Sequence, residues 1–290
     1  MTQYTPGIKV VDVPSGAKYV RLSNNKLPSR YAFISNTPEN PYINDSYAIT
    51  DAFPYNFNPV NPCDYQCGSV GVFHKCACIG DSLTWGAYNA DDGYTINVPT
   101  SNTLHEWYSY PTQFTKITGV ITDNLGDSSE TFKTWYDLYK DHDYTGCDAA
   151  IIHLGVNDAA YSVTDEETEE YMIKVIEAVK ASVMNIKIFV CTLTPVFSNP
   201  RWETYMRKSE LIRQVYINNY ADDPNIVLLD MERYSHVRQY TSFAAGHFTA
   251  LGYRQWAQDL ANYISWYIDR NMRDFRFVHY IGSDRTYSGD

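Results

Sequence analysis

The chain has 290 residues, 44% of them hydrophobic and 20% charged, the balance of a globular protein with material for one or two cores. A net charge of −11 and a pI of about 5.0 argue against nucleic acid or an anionic membrane as partner. No apolar run reaches the roughly 20 residues of a membrane helix, and the start of the chain lacks the basic and apolar parts of a signal peptide. The expected location is therefore the cytoplasm, or an exit by lysis.

Residues 1–72 read as a small antiparallel β-module. Ile8–Val13 and Lys18–Ser23 alternate in part, Tyr31–Ile34 makes a further short strand, and Ser35–Pro62 is rich in Asn, Pro, Asp and Tyr, the residues of turns and extended loops. This stretch is charge-neutral. Lys9, Lys18, Arg21, Lys26 and Arg30 balance Asp12, Glu39, Asp45, Asp51 and Asp64, so the whole net charge lies beyond residue 72, where a domain boundary is expected.

Beyond Val72 the rhythm changes. Strand-length apolar runs at Phe73–Ile79, Gly119–Thr122, Ala149–Leu154, Ile186–Leu193 and Ile226–Leu229 alternate with helical stretches. Helices are expected over Thr131–Tyr139, from Thr164, which forms a capping-box pattern with Glu167, over Trp202–Tyr220 and over Leu251–Ile268. Repeated βαβ units imply a parallel sheet covered on both faces, with ligands at the carboxyl ends of its strands. Residues 271–290 form a C-terminal tail.

The six cysteines set up no framework. Cys76 and Cys78 alternate in one strand and point to one face, and Cys63-x3-Cys67 lacks the paired spacing of a zinc site. Buried or loop thiols are expected, with no metal or other cofactor. The 26 tyrosines suit β-rich packing or a sugar-facing surface.

Four stretches carry chemistry. Gly80-Asp81-Ser82-Leu83 puts a serine just past the first strand, where a rigid sheet can present a hydroxyl nucleophile. Gly126 lies in the segment Thr122–Ser128 that follows the second, where its N–H can approach a ligand. Asn157 follows the third in Gly155-Val156-Asn157-Asp158, and its amide can donate to a developing oxyanion. His247 precedes the last helix and can reach Ser82 as its base. Nucleophile, base and oxyanion donors are the parts needed for acyl transfer. Asp81 and Asp158 read as loop-holding carboxylates, His153 as a satisfied core histidine, and Trp85 and Tyr88 as core or pocket wall.

In order, spacing and strand context, these four blocks resemble those of the SGNH/GDSL hydrolase superfamily over about residues 73–270. The resemblance implies a flavodoxin-like three-layer α/β/α fold with a five-stranded parallel sheet. It also implies ester hydrolysis, often of an acetyl group on a carbohydrate, without metal or cofactor. Ser82 and His247 would be catalytic, with Ser82 N–H, Gly126 and Asn157 forming the oxyanion hole. One position departs. The family usually has an Asp three residues before the histidine, and here that residue is Ala244. A backbone carbonyl could orient His247, Asp230 could do so from the end of the last strand, or the site could bind without turnover.

Val13–Ser23 is also similar to short β-modules that precede such domains in phage tail and gut bacterial proteins. Two functions therefore stand at this point. One is a carbohydrate esterase acting on an O-acetylated glycan. The other is a weakly active or inactive receptor-binding component of a phage tail, virion-associated and open to homo-oligomeric assembly. Nothing resembles the apolar lid of a lipid esterase.

Overall fold

The computed structural model describes residues 61–87, 107–194, 202–237 and 247–275. The expected β-module strands and the phage-like stretch Val13–Ser23 lie outside them, as do Tyr88, Ala244 and residues 276–290 of the tail. By its contacts the chain divides into two units, Met1–Val60 and Asn61–Asp290.

The second unit is built on five parallel strands, β1 (Lys75–Gly80), β2 (Ile121–Gly126), β3 (Ala149–His153), β4 (Lys187–Cys191) and β5 (Ile226–Leu229), in the order β2-β1-β3-β4-β5. Central strands β1, β3 and β4 are buried almost throughout, as their unbroken apolar runs require. Strand β2 is longer than its apolar stretch suggests and takes in Thr122, Asp123 and Asn124. It is an edge strand, so these residues keep access to water, and Asp123 pairs with Lys75 at 2.6 Å.

Between the strands run α1 (Ser82–Trp85), α2 (Tyr110–Thr118), α3 (Phe132–Tyr139), α4 (Val156–Ala160), α5 (Asp165–Ser182), α6 (Trp202–Asn219), α7 (Met231–Tyr234) and α8 (Ala250–Arg270). The Thr164 hydroxyl caps α5 by accepting from Glu167 N–H at 3.1 Å. Met172, Val175, Ile176 and Val179 form the buried stripe of α5, against Ala77, Ile79, Ala150, Ile152, Ile188 and Val190 from one face of the sheet. Alternation sends Cys76, Cys78, Ile151, Phe189 and His153 to the opposite face, covered by α2 and α8.

Helix α2 was not anticipated, although its start and stop signals are present. Ser109 caps it, Pro111 sits in its first turn, and Gly119 closes it in the left-handed conformation. Helix α8 is buried nearly all round. Its second face carries Asp259, Asn262 and Ser265, all less than 10% exposed. Asn262 and Ser265 meet the segment 61–72, which forms two 3-10 turns, Pro62–Asp64 and Ser69–Val72. Asn262 Nδ2 donates to Cys63 O at 2.6 Å, and Val70 N–H donates to Ser265 Oγ at 3.0 Å. At the same edge the His236 ring lies between Asp259, 2.8 Å from Nδ1, and Asp64, 2.9 Å from Nε2. Residues 61–72, grouped with the β-module on charge balance, are thus fastened to the last helix of the α/β unit.

All six cysteines are free thiols. Cys67 is exposed and the other five are buried. Among the described residues no group of three His, Cys, Asp or Glu side chains is placed to hold a metal ion, and no helix is long and apolar enough to cross a membrane.

Candidate active site

The chain order reverses direction across β1, with β2 on one side and β3 on the other. The crevice above the carboxyl ends of these strands is where an open α/β sheet receives ligands. The segments following all three strands converge there.

Asp81 is the N-cap of α1. One of its carboxylate oxygens accepts from Leu83 N–H at 2.9 Å. Ser82 is therefore the first helical residue, a position whose N–H has no partner within the helix. No acceptor among the described residues takes that N–H. Asp81 itself is fully buried, and burial raises its pKa to about 7. Both it and Asp158 hold loops, as the sequence suggests. The Asp158 oxygens accept from Phe132 N–H and the Thr168 hydroxyl, both at 3.1 Å, and so join α4 to α3 and α5.

His247 stands just ahead of α8, whose N-cap Thr249 accepts from Gly252 N–H at 3.0 Å. Its Nε2 lies 2.9 Å from Ser82 Oγ, across 165 residues of sequence. With the ring proton on Nδ1, the serine hydroxyl donates to Nε2, which is the arrangement for removing its proton. Burial holds the His247 pKa below its ordinary value, so the ring is the neutral, accepting form at physiological pH. Tyr253 reaches from α8 to donate to Ala87 O and ties the base-bearing helix to the segment after α1.

Asn157 lies in the first turn of α4 and is 9% exposed. Its Nδ2 donates to Glu130 O at 3.0 Å. That bond to a carbonyl fixes which terminal atom is nitrogen and leaves the second N–H for a ligand.

Gly126 is the last residue of β2. Its N–H donates to Asn124 Oδ1 at 3.0 Å. A Cβ there would lie 2.1 Å from Trp85 N, and one at Gly80 would lie 1.9 Å from Thr84 Oγ1. The two glycines let α1 settle directly onto the ends of β1 and β2.

Asp230, the alternative partner for His247, is committed elsewhere. Its oxygens accept from Arg213 Nε at 3.0 Å and Nη2 at 2.6 Å, and from Thr192 Oγ1 at 3.1 Å. His153 is in the core as expected, 0% exposed and stacked on Trp256 at 4.7 Å. It is not satisfied by hydrogen bonds, since neither ring nitrogen has a partner among the described residues. Burial lowers its pKa to about 3.

Residues 78–255, more than half of the chain, match the profile of the GDSL-like lipase/acylhydrolase family. The chain belongs to this family. Comparison with curated proteins gives no match. Among solved structures, a family 3 carbohydrate esterase from Clostridium thermocellum is similar at 16% identity and a TM-score of 0.52, covering 69% of this chain and 97% of that one. An α/β hydrolase, LAE5, from the metagenome of Lake Arreo, Spain, is similar at 17% identity and a TM-score of 0.50, covering 67% and 96%. A carbohydrate acetylesterase, Est24, from Sinorhizobium meliloti is similar at 19% identity and a TM-score of 0.49, covering 66% and 98%. At 16–17% identity the likeness to the first two is one of fold, and the five-stranded parallel sheet with its helices is the flavodoxin-like α/β/α fold.

Proposed function

We propose that the chain is a serine esterase that removes O-acetyl groups from a carbohydrate. The observation that carries this reading is the 2.9 Å approach of His247 Nε2 to Ser82 Oγ at the switch point of the sheet. His247 takes the Ser82 proton as Oγ attacks the ester carbonyl, and the carbonyl electron pair moves onto oxygen. The Ser82 N–H and the free N–H of Asn157 Nδ2 receive that oxyanion. Collapse expels the sugar alkoxide, which takes the proton from His247 and leaves an acetyl-serine. Water, deprotonated by His247, then releases acetate and restores Ser82.

The Clostridium thermocellum carbohydrate esterase shares the fold. Tyr161, which follows the helix carrying Asn157, is 58% exposed, and a tyrosine face suits a sugar ring. The test is acetate release from acetylated xylan and acetylated monosaccharides beside turnover of aryl acetate and aryl decanoate. Acetate release that disappears in Ser82→Ala is the expected result. A preference for decanoate with no release from sugars would remove the carbohydrate reading.

A further inference from the structure

We infer that Lys208, on α6, is a positioning residue for Asn157 and acts on it through Thr168 and Asp158. The inference rests on the reading of Asn157 as oxyanion donor in a serine esterase. It begins with a charge in an unexpected place. Tyr205, Lys208, Ile212 and Val215 follow one another at helical spacing and form one buried stripe of α6, and Lys208 is 0% exposed. Burying an ammonium is costly, and an apolar side chain would fill the same space without that cost. Its retention calls for a task that only a donor can perform.

The bonds of Lys208 show the task. Its Nζ lies 2.8 Å from Val163 O, 3.2 Å from Thr164 O, 2.8 Å from Asp165 Oδ1 and 2.9 Å from Thr168 Oγ1. All four oxygens belong to the connection between α4 and α5 or to the start of α5. An ammonium can only donate, so the Thr168 hydroxyl accepts from it. The hydroxyl proton then faces Thr164 O at 2.9 Å and Asp158 Oδ1 at 3.1 Å, and a carboxylate is the stronger acceptor. The other Asp158 oxygen accepts from Phe132 N–H at 3.1 Å. Val163 is held from both sides, since its N–H donates to Asp158 O at 2.9 Å and its own oxygen accepts from Lys208.

These bonds matter because of what α4 is. It has five residues and no side-chain bond at its N-cap, and a helix that short does not hold its own shape. Its pose is set from outside, through Asp158 and Val163, and both lead to Lys208. Asn157 is the residue before Asp158, with its Nδ2 held by Glu130 O at 3.0 Å. The same helix lies beside the nucleophile. Gly80 and His153 are paired at the ends of β1 and β3, and the Asp158 charge adds to burial in raising the Asp81 pKa. Asp81 and Asp158 are the immediate neighbours of Ser82 and Asn157. An oxyanion donor is effective when it is in place before charge develops, and the buried ammonium is the anchor that keeps this one in place.

The test is a double-mutant cycle with aryl acetate as substrate, run well below the melting temperature of every variant. Lys208→Met removes the ammonium and keeps the apolar stem. Thr168→Val removes only the hydroxyl link and leaves Lys208 its other partners. Each should lower kcat by about 10- to 10²-fold, the effect of a displacement of up to about 1 Å, with KM changed by less than about threefold. Binding of a boronic acid transition-state analogue should weaken by a similar factor. Asp165→Asn removes the carboxylate partner of Lys208 but leaves the path through Thr168, and should keep kcat within about threefold of wild type. In an Asn157→Ala background, Lys208→Met and Thr168→Val should each lower kcat by less than about a further threefold, because the group they position is gone.

Equal losses in the wild-type and Asn157→Ala backgrounds would overturn the inference, since Lys208 would then act on something other than Asn157. So would wild-type kcat in both Lys208→Met and Thr168→Val. If Lys208→Met does not fold, Thr168→Val completes the same cycle. Two further variants separate this inference from the reading beneath it. Ser82→Ala as active as wild type defeats the esterase reading, and Asn157→Ala at wild-type kcat defeats the oxyanion role of Asn157. An inactive Ser82→Ala and an impaired Asn157→Ala, beside Lys208→Met and Thr168→Val at wild-type rate, defeat the Lys208 inference alone.

Discussion

Gly126→Ala adds one methyl group where α1 rests on β2. The new Cβ would lie 2.1 Å from Trp85 N, 2.6 Å from Thr84 C and 2.7 Å from Trp85 Cα. Ordinary contact begins near 3.4 Å, so α1 must retreat by about 1.3 Å, the difference between 3.4 and 2.1. All three atoms are backbone, so no rotamer change relieves the clash. Overpacking of this kind costs roughly 1–3 kcal/mol, and here the upper end is expected. The retreat carries Ser82 away from His247 and breaks the 2.9 Å contact. Misplacement of a reacting group by about 1 Å costs on the order of 10²-fold in rate. Alanine keeps the N–H, so the loss cannot be that of a donor. Urea denaturation and kcat/KM on aryl acetate should therefore both fall. A variant with wild-type stability and rate would refute the packing argument and the position it gives α1.

Three further outcomes follow from the same geometry. Asn157→Ala should lower kcat by about 10²–10³-fold with little change in KM, since it removes a donor to the oxyanion, a loss of about 2.7–4 kcal/mol. Equal losses in kcat and 1/KM would place the side chain in substrate binding instead. Because burial lowers the His247 pKa, kcat/KM should stay level as pH falls to about 6.5 and decline only below it, as the base becomes protonated. An acid limb centred above pH 7 would contradict this environment. His153 is held neutral in the fold to about pH 3, whereas the unfolded chain binds the proton below about 6.5. The stability linked to it is complete above pH 6.5 and is lost as pH falls through that window, at roughly 1.4 kcal/mol per pH unit. His153→Phe should flatten urea-derived stability between pH 6.5 and 4, and an unchanged slope would show that His153 does not set it.

The fold was legible because each central strand is a short continuous apolar run and each covering helix carries a stripe. Ala149–His153 and the Met172–Val179 face of α5 are examples. The edge strand was legible only at its start, because a strand with one neighbour can carry Asp123 and Asn124 and loses its apolar mark. The short helix α4 follows a glycine and spans barely more than one turn, too short to show any period. At the site, Ser82, Asn157 and His247 stood out because each follows a strand or precedes a helix. The structure brings Ser82 and His247 together and sets Asn157 against the loop that follows β2. Gly126 was visible as a glycine at a strand exit, but sequence cannot separate a glycine that presents an N–H from one that admits a neighbouring backbone. The commitment of Asp230 to Arg213 depends on a contact between β5 and α6 that no local pattern encodes.

The most direct test of Ser82 as a nucleophile activated by His247 is covalent capture. The protein is incubated with a fluorophosphonate and digested, and the modified peptide is sequenced by mass spectrometry. One adduct per chain is expected on Ser82, formed at least about 10²-fold more slowly in His247→Ala and absent from Ser82→Ala. An adduct elsewhere, or none on Ser82 in a protein that still turns over aryl acetate, would contradict the assignment.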